Sequence, residues 1–139
     1  MEKKILVVDD EASIRELFED ILASSGHKIL SAEGAEQALE ILKTQTIDVI
    51  FLDLKLFGMN GIELCRQIRT FNPISLIYAM TGWSALYEIE ECREAGFDDL
   101  FTKPIKTETL FKAVEDAFEK LNRWKKNYQP SSPYLSTKE

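Results

Sequence analysis

Three short apolar runs constrain the fold of this chain more than any other feature of its sequence. They are "ILVV" at residues 5–8, "VIFL" at 49–52 and "LIYAM" at 76–80. Continuous apolar runs of this length are typical of parallel strands that are buried on both faces. Two weaker runs, "KIL" at 28–30 and "LFT" at 100–102, are candidates for short edge strands.

Between these runs, apolar residues recur at the helical period. The stripes comprise Ile14, Leu17, Phe18, Ile21 and Leu22; Ala35, Ala38, Leu39 and Leu42; Ile62, Cys65 and Ile68; Leu86, Ile89 and Cys92; and Leu110, Ala113, Val114, Ala117, Phe118 and Leu121. Strands alternating with helices through right-handed crossovers predict an α/β fold, a (βα)5 doubly wound parallel sheet of flavodoxin-like type. The strand order 2-1-3-4-5 places the three strongly apolar strands in the middle and the two weak ones at the edges.

Length and charge restrict the function classes. The 139 residues suffice for one domain, and 45% of them are apolar. No run approaches the roughly 20 apolar residues of a membrane span, and the amino terminus lacks a signal-peptide core, so we expect a cytoplasmic protein without membrane contact. The net charge of −7 argues against direct binding of nucleic acid. Cys65 and Cys92 lack metal-ligand spacing and are predicted to pack in the core.

The apolar stripe of the last helix ends at Leu121. The sequence beyond it, "NRWKKNYQPSSPYLSTKE", has two prolines, three serines and no apolar period. We therefore expect one domain over residues 1–121, followed at 122–139 by a helix end and a flexible tail or linker.

Polar residues follow the strands at the sheet edge where ligands bind in doubly wound folds. They are Asp9 and Asp10 after the first strand, Asp53 at the third, Thr81 at the fourth and Lys103 after the fifth. Three carboxylates at one point repel one another and need a cation, and oxygen ligands without histidine or thiolate favour Mg²⁺. Mg²⁺ beside a carboxylate suggests phosphoryl transfer, in which an aspartate attacks phosphorus while Lys103 and Thr81 hold phosphoryl oxygens.

These residues and their order resemble the receiver domain of response regulators, the phospho-accepting half of two-component signalling. The resemblance covers residues 3 to 121 and is carried by "ILVVDDE", "DLKLFGMNG", "TG" and "FDDLFTKP". It implies a phosphorelay switch in which Asp53 takes a phosphoryl group from the phosphohistidine of a sensor kinase or a phosphotransfer protein. The enzymatic activity that it implies is limited to self-catalysed phosphorylation and autodephosphorylation.

The resemblance also assigns a metal site. Mg²⁺ would be held by Asp9, Asp10, Asp53 and the backbone carbonyl of Lys55. In this assignment Asp10 is a direct ligand, whereas Asp9 acts on the metal through water.

The same resemblance makes Thr81 the switch hydroxyl and Lys103 the lysine that contacts the phosphoryl group, with a cis bond to the following proline. Phosphorylation would then change the face made by helix 4, strand 5 and helix 5. That face would bind a downstream protein or an output domain that this sequence lacks, in a monomer or a phosphorylation-dependent dimer.

Three positions depart from the family pattern. Leu100 stands where an aromatic switch residue is usual, and Phe101 cannot replace it because neighbouring strand residues point to opposite faces. Phe57 stands where proline is frequent, and either packs normally or marks a contact surface. Trp83, with Lys55 opposite, either screens the acyl phosphate from water and so prolongs its life, or only covers the start of helix 4.

Three other functions are compatible with the same sheet. A receiver-like module could bind partners without phosphorylation, as the missing aromatic at Leu100 would allow. A haloacid-dehalogenase-like phosphohydrolase also uses an aspartyl nucleophile, but it needs a second aspartate where this chain has Lys55. A flavodoxin-like cofactor carrier needs a phosphate-binding loop after the first strand, where "DDEAS" is acidic.

Overall fold

The computed structural model describes residues 3–82 and 89–127. Five parallel strands form a sheet in the order β2-β1-β3-β4-β5, which confirms the predicted order. Their bounds are β1 Lys4–Val8, β2 Lys28–Ala32, β3 Val49–Asp53, β4 Leu76–Thr81 and β5 Asp99–Thr102. Every residue of β3 and β4 is buried, whereas β2 and β5 are partly exposed, as expected for edge strands.

Helices connect the strands and cover both faces of the sheet. Their bounds are α1 Ala12–Leu22, followed by a short 3-10 turn at Ala23–Ser25, then α2 Ala35–Thr44, α3 Gly61–Phe71, α4 Ile89–Ala95 and α5 Thr107–Asn127. α5 thus continues past Leu121, where its apolar stripe ends, and Leu86 of the predicted fourth stripe lies outside the described residues. None of the helices described has the length and apolar character needed to cross a membrane.

The core has two halves, one on each face of the sheet, because successive strand residues point to opposite sides. Leu6 and Val8 of β1 face the half that is covered by α2, α3 and α4. Ile5 and Val7 face the half that is covered by α1 and α5. This alternation explains why the central strands have continuous apolar runs.

The loop after β3 is fixed at both ends. The Leu54 amide donates to the Met80 carbonyl at 2.9 Å, and the Gly61 amide donates to the Leu54 carbonyl at 2.8 Å. A Cβ atom at Gly61 would clash with the Asp53 carbonyl oxygen, so this position requires glycine. The Asn60 side chain then caps α3 by accepting from the Glu63 amide at 2.8 Å. The loop therefore holds the end of β3 rigidly against the start of α3.

Candidate functional site

Three carboxylates meet at the carboxyl edge of the sheet, as the sequence predicts. Ligand oxygens of Asp9, Asp10 and Asp53 all lie within 4.8 Å of one another. Asp9 is completely buried and Asp53 is 4% exposed, whereas Asp10 is exposed to solvent. The cluster therefore has a buried floor and one carboxylate at its mouth.

Hydrogen bonds fix the position of Asp9. Its Oδ1 accepts from the Glu11 amide at 2.9 Å, and its amide donates to the Ala32 carbonyl at 3.1 Å. The guanidinium of Arg15 donates to the Asp9 carbonyl oxygen at 2.7 Å and lies 3.6 Å from the Glu33 carboxylate. α1 thus holds the acidic loop through an arginine that sequence analysis did not identify.

Lys103 joins the two buried carboxylates. Its Nζ lies 2.8 Å from Asp9 Oδ2 and 3.2 Å from Asp53 Oδ2, with Glu11 further away at 3.8 Å. Its amide donates to the Thr81 carbonyl at 2.7 Å, and the bond to Pro104 is cis, as the family resemblance implies. One residue therefore links the ends of β1, β3 and β4.

The pKa values of the buried groups follow from this geometry. Burial raises the pKa of the Asp53 carboxyl, and the charge of Asp9 raises it further, against the lowering effect of the Lys55 amide and of Lys103. Burial alone would lower the pKa of Lys103, but hydrogen bonding and attraction to Asp9 and Asp53 outweigh it and raise this pKa. Lys103 consequently stays charged, and ionising Asp53 costs more free energy in the folded protein than in the unfolded chain.

The donor set of the cluster fits a hard divalent cation. Oδ2 of Asp9 is buried and contacts the Lys103 ammonium at 2.8 Å. The carboxylates outnumber the ammonium that contacts them, and they offer oxygen ligands of the kind that Mg²⁺ prefers.

Thr81 lies at the end of β4 next to this cluster, with 4% of its surface exposed. Leu100 of β5 packs against the core half below α2, α3 and α4. Phe101 faces the opposite side, where its ring makes an edge contact with Tyr78 at 5.5 Å. The prediction that Leu100 and Phe101 point to opposite faces of the sheet is therefore confirmed.

The remaining candidate residues differ in position. The Lys55 amide donates to Asp53 Oδ1 at 3.1 Å, and its side chain is exposed. Phe57 is 89% exposed, so the interpretation that it packs normally is wrong. It is exposed because the neighbouring Leu56 and Met59, rather than Phe57, pack onto the core. Trp83 lies outside the described residues.

Comparison with known proteins agrees with this geometry. The model of the response regulator receiver domain family matches residues 5–115. Sporulation initiation phosphotransferase F of Bacillus subtilis is 32% identical over 115 residues, which are 83% of this chain and 93% of that protein. The alkaline phosphatase synthesis transcriptional regulatory protein PhoP of the same organism is 39% identical over 104 residues, or 75% of this chain.

Several relatives are longer than this chain. The chain spans 43% of PhoP and 28% of a cyclic di-GMP phosphodiesterase of Thermotoga maritima, which is 34% identical over 106 residues. In contrast, it spans nearly all of the sporulation protein. The sequence thus matches proteins that consist almost entirely of this domain and proteins that carry further segments.

Solved structures show the same fold. A CheY-like receiver domain protein from Methanospirillum hungatei superposes with a TM-score of 0.83 at 27% identity, over 91% of this chain and 99% of that one. NtrX from Brucella abortus superposes with a TM-score of 0.84 at 29% identity, over 92% of this chain and 29% of NtrX. Fold, acidic cluster and sequence agree, and the chain therefore belongs to the response regulator receiver domain family, the phospho-accepting switches of two-component signalling.

Proposed function

We propose that this chain accepts a phosphoryl group on Asp53 from the phosphohistidine of a sensor kinase or phosphotransfer protein. The observation that carries the proposal is the buried Asp53 carboxylate, which lies in an acidic cluster and 3.2 Å from the Lys103 ammonium. Such an arrangement supplies a nucleophile and a fixed positive charge at one point. Membership of the family adds that receiver domains interact with histidine kinases and output domains.

Magnesium belongs to this proposal. Asp9, Asp10, Asp53 and the Lys55 backbone carbonyl would hold the ion, since receiver domains use Mg²⁺ bound by acidic residues. Bound there, Mg²⁺ supplies positive charge that neutralises the oxygens of the transferring phosphoryl group.

The residues of the chain perform the transfer itself. A carboxylate oxygen of Asp53 attacks phosphorus, an O–P bond forms, and the N–P bond to the donor imidazole breaks with its electron pair passing to nitrogen. Lys103, which now contacts both Asp9 and Asp53, neutralises the charge that arrives with the phosphoryl oxygens. Slow attack of water on the same phosphorus breaks the bond to the Asp53 oxygen, releases inorganic phosphate and returns Asp53 to its free carboxylate.

The switch follows from the bonds between strand ends. The Thr81 hydroxyl would donate to a phosphoryl oxygen, and Thr81 is tied to β5 by the bond from the Lys103 amide to its carbonyl. A displacement of Thr81 would therefore also move β5. Leu100 of β5 would then change its packing, as the aromatic residue does that is usual at this position. The face of α4, β5 and α5 would then bind a downstream protein or an output domain. We also propose that residues 1–121 are the receiver domain and that 122–139 are its helix end and a tail or linker, of which residues 128–139 lie outside the described part of the chain.

Acetyl phosphate and Mg²⁺ test the proposal. Intact-mass measurement should find one phosphoryl adduct on the wild-type chain and none on Asp53→Asn. Asp48→Asn is the matched control: Asp48 precedes β3, and its side chain accepts from the Lys4 amide, a role that asparagine can keep. An unmodified wild-type chain would point to a module that binds partners without phosphorylation. Rapid multiple turnover of acetyl phosphate would point to a phosphohydrolase.

The lifetime of the aspartyl phosphate is a separate proposal. We propose that Trp83 and Lys55 screen it from water, a prediction that rests on the sequence alone for Trp83. Trp83→Ala and Lys55→Ala should each shorten the half-life of the phosphorylated chain, which phosphate release measures directly. An unchanged half-life in both variants contradicts the screening role.

A further inference from the structure

A second concave surface lies beside the proposed phosphorylation site and shares none of its residues. It is a cleft of about 730 Å³ between the start of α2 and the loop after β3. Its apolar lining includes Phe57, Met59 and Leu39, and its acidic lining is Glu33, Glu36 and Glu40. The cleft therefore combines an aromatic ring with three carboxylates.

The chain presents Phe57 at this cleft from a fixed loop. Leu54 is buried, and Leu56 and Met59 pack against the core on either side of Phe57. Gly58 takes a φ of 84°, a left-handed conformation that redirects the backbone immediately after Phe57. Because its neighbours are anchored, Phe57 is held outward with 89% of its surface exposed. A large aromatic ring in such a position is typical of an interface anchor.

Two of the three acidic side chains of the cleft, Glu36 and Glu40, form no ion pair with the residues that the structure describes. Glu36 and Glu40 are four residues apart on α2, so their charges lie on one helix face and repel. Across residues 3–82 and 89–127, no lysine or arginine comes within 4 Å of either carboxylate. Glu33 contacts Arg15 only at 3.6 Å and is 76% exposed. A cation from outside would therefore find uncompensated negative charge there.

We propose that this cleft, between Phe57 and the Glu33–Glu36–Glu40 carboxylates, docks a cationic amphipathic helix of a partner protein. An apolar side chain of that helix packs on Phe57 and Met59, while its lysines or arginines pair with the carboxylates. We assign the cleft to a different protein rather than to a second copy of this chain, because the net charge of −7 on each copy opposes their association. The surface serves a partner independently of phosphoryl transfer.

A synthetic peptide with one leucine face and one lysine face is a direct probe. Added to the full ¹⁵N-labelled chain, it should shift the amide resonances of residues 33–40 and 55–59 in a saturable manner. A control peptide with the same lysines, but with serines in place of the leucines, should bind at least tenfold more weakly. Equal binding of the two peptides would overturn the proposal, because it would show only attraction to an acidic protein. Shifts centred on another surface would also overturn it.

Variants separate the two parts of the cleft. Phe57→Ser should weaken binding of the leucine–lysine peptide at least tenfold. The double variant Glu36→Gln, Glu40→Gln should weaken this binding several-fold. Both variants should melt at the wild-type temperature. Ile74→Ser is the matched control, since Ile74 is 75% exposed in the loop before β4 and outside the cleft. Wild-type affinity of Phe57→Ser would overturn the proposal. So would concentration-dependent dimerisation that Phe57→Ser abolishes, which would assign the cleft to a second copy.

Discussion

Lys103 and Arg69 are the cations of two ion-paired clusters at opposite edges of the same sheet. At the carboxyl edge, Lys103 contacts both Asp9 and Asp53, and the carboxylates outnumber it. At the amino edge, Arg69 pairs at 2.8 Å with Asp98, its one ion-pair partner among the described residues. The first cluster retains negative charge in a buried position, whereas the second is neutral.

The amino edge also satisfies its polar groups. Besides Asp98, the Arg69 guanidinium donates to the carbonyls of Gly96, Ser75 and Asn72 at 2.7 to 3.2 Å. Asp98 in turn accepts from the Ile77 amide at 2.8 Å. The amino edge is thus built for stability. The carboxyl edge keeps charges that cost stability, as is common at functional sites. The proposed function would use these charges to receive a cation and a phosphoryl group.

Removing Arg69 should have the largest effect on stability. Arg69→Ala leaves the Asp98 carboxylate without its cation and several carbonyls without their donor, and we expect the free energy of unfolding to fall by about 3 kcal/mol. Urea denaturation measures this change. Arg66→Ala is the control on the same helix: Arg66 pairs with Glu63 at 3.2 Å, but both side chains are about half exposed. Its loss should cost no more than about 0.5 kcal/mol, and equal effects would contradict the comparison.

Neutralising Asp53 should have the opposite sign. Because the folded state raises the pKa of Asp53, the ionised carboxylate opposes folding, and Lys103 keeps Asp9 as its partner after the change. We expect Asp53→Asn to stabilise the protein by about 1 kcal/mol at neutral pH, or roughly 4 °C in Tm. Asp98→Asn, the same chemical change at the amino edge, should destabilise it because Arg69 loses its anion.

The difference in stability between Asp53→Asn and the wild type should depend on pH, because the Asp53 pKa is raised in the folded state. The folded protein binds the Asp53 proton more tightly than the unfolded chain does. As pH falls through the raised pKa, Asp53 becomes protonated, and the wild type no longer carries the cost in folding free energy of an ionised Asp53. The advantage of Asp53→Asn should therefore shrink between neutral pH and about pH 4. Thermal melts of both proteins across this range measure it, and an advantage that grows in acid would contradict the assigned shift.

The features that the sequence could predict are those encoded in short continuous segments of the chain. The continuous runs around Val7, Phe51 and Ala79 identified the buried central strands, and residues at the carboxyl ends of all the parallel strands had to meet at one edge. Asp9, Asp53 and Lys103 were therefore accessible to prediction, as was the strand order. The contacts of Arg69 with Gly96 and Asp98 were not, since they join segments 27 and 29 residues apart without any local pattern. The exposure of Phe57 likewise depends on how the whole loop packs.

Removing Arg15 should have the smallest effect of these changes, and should act on the carboxyl edge alone. Arg15 donates to the Asp9 carbonyl at 2.7 Å and so orients the loop that carries Asp9 and Asp10. We expect Arg15→Ala to weaken the binding of Mg²⁺ about threefold, which is in the range expected for the loss of one hydrogen bond. The free energy of unfolding should change little. Calorimetric titration with Mg²⁺ measures this affinity.

The Glu33→Gln variant provides the control for Arg15. Glu33 contacts the same guanidinium at 3.6 Å but is 76% exposed and lies away from the carboxylate cluster. Its neutralisation should leave the Mg²⁺ affinity unchanged, because the bond from Arg15 to the Asp9 carbonyl remains. If Glu33→Gln weakened the binding of Mg²⁺ as much as Arg15→Ala does, Arg15 would act through its surface ion pair with Glu33 rather than by holding the acidic loop. If neither variant changed the affinity, Asp9 would be positioned by its bonds to Glu11 and Ala32 alone.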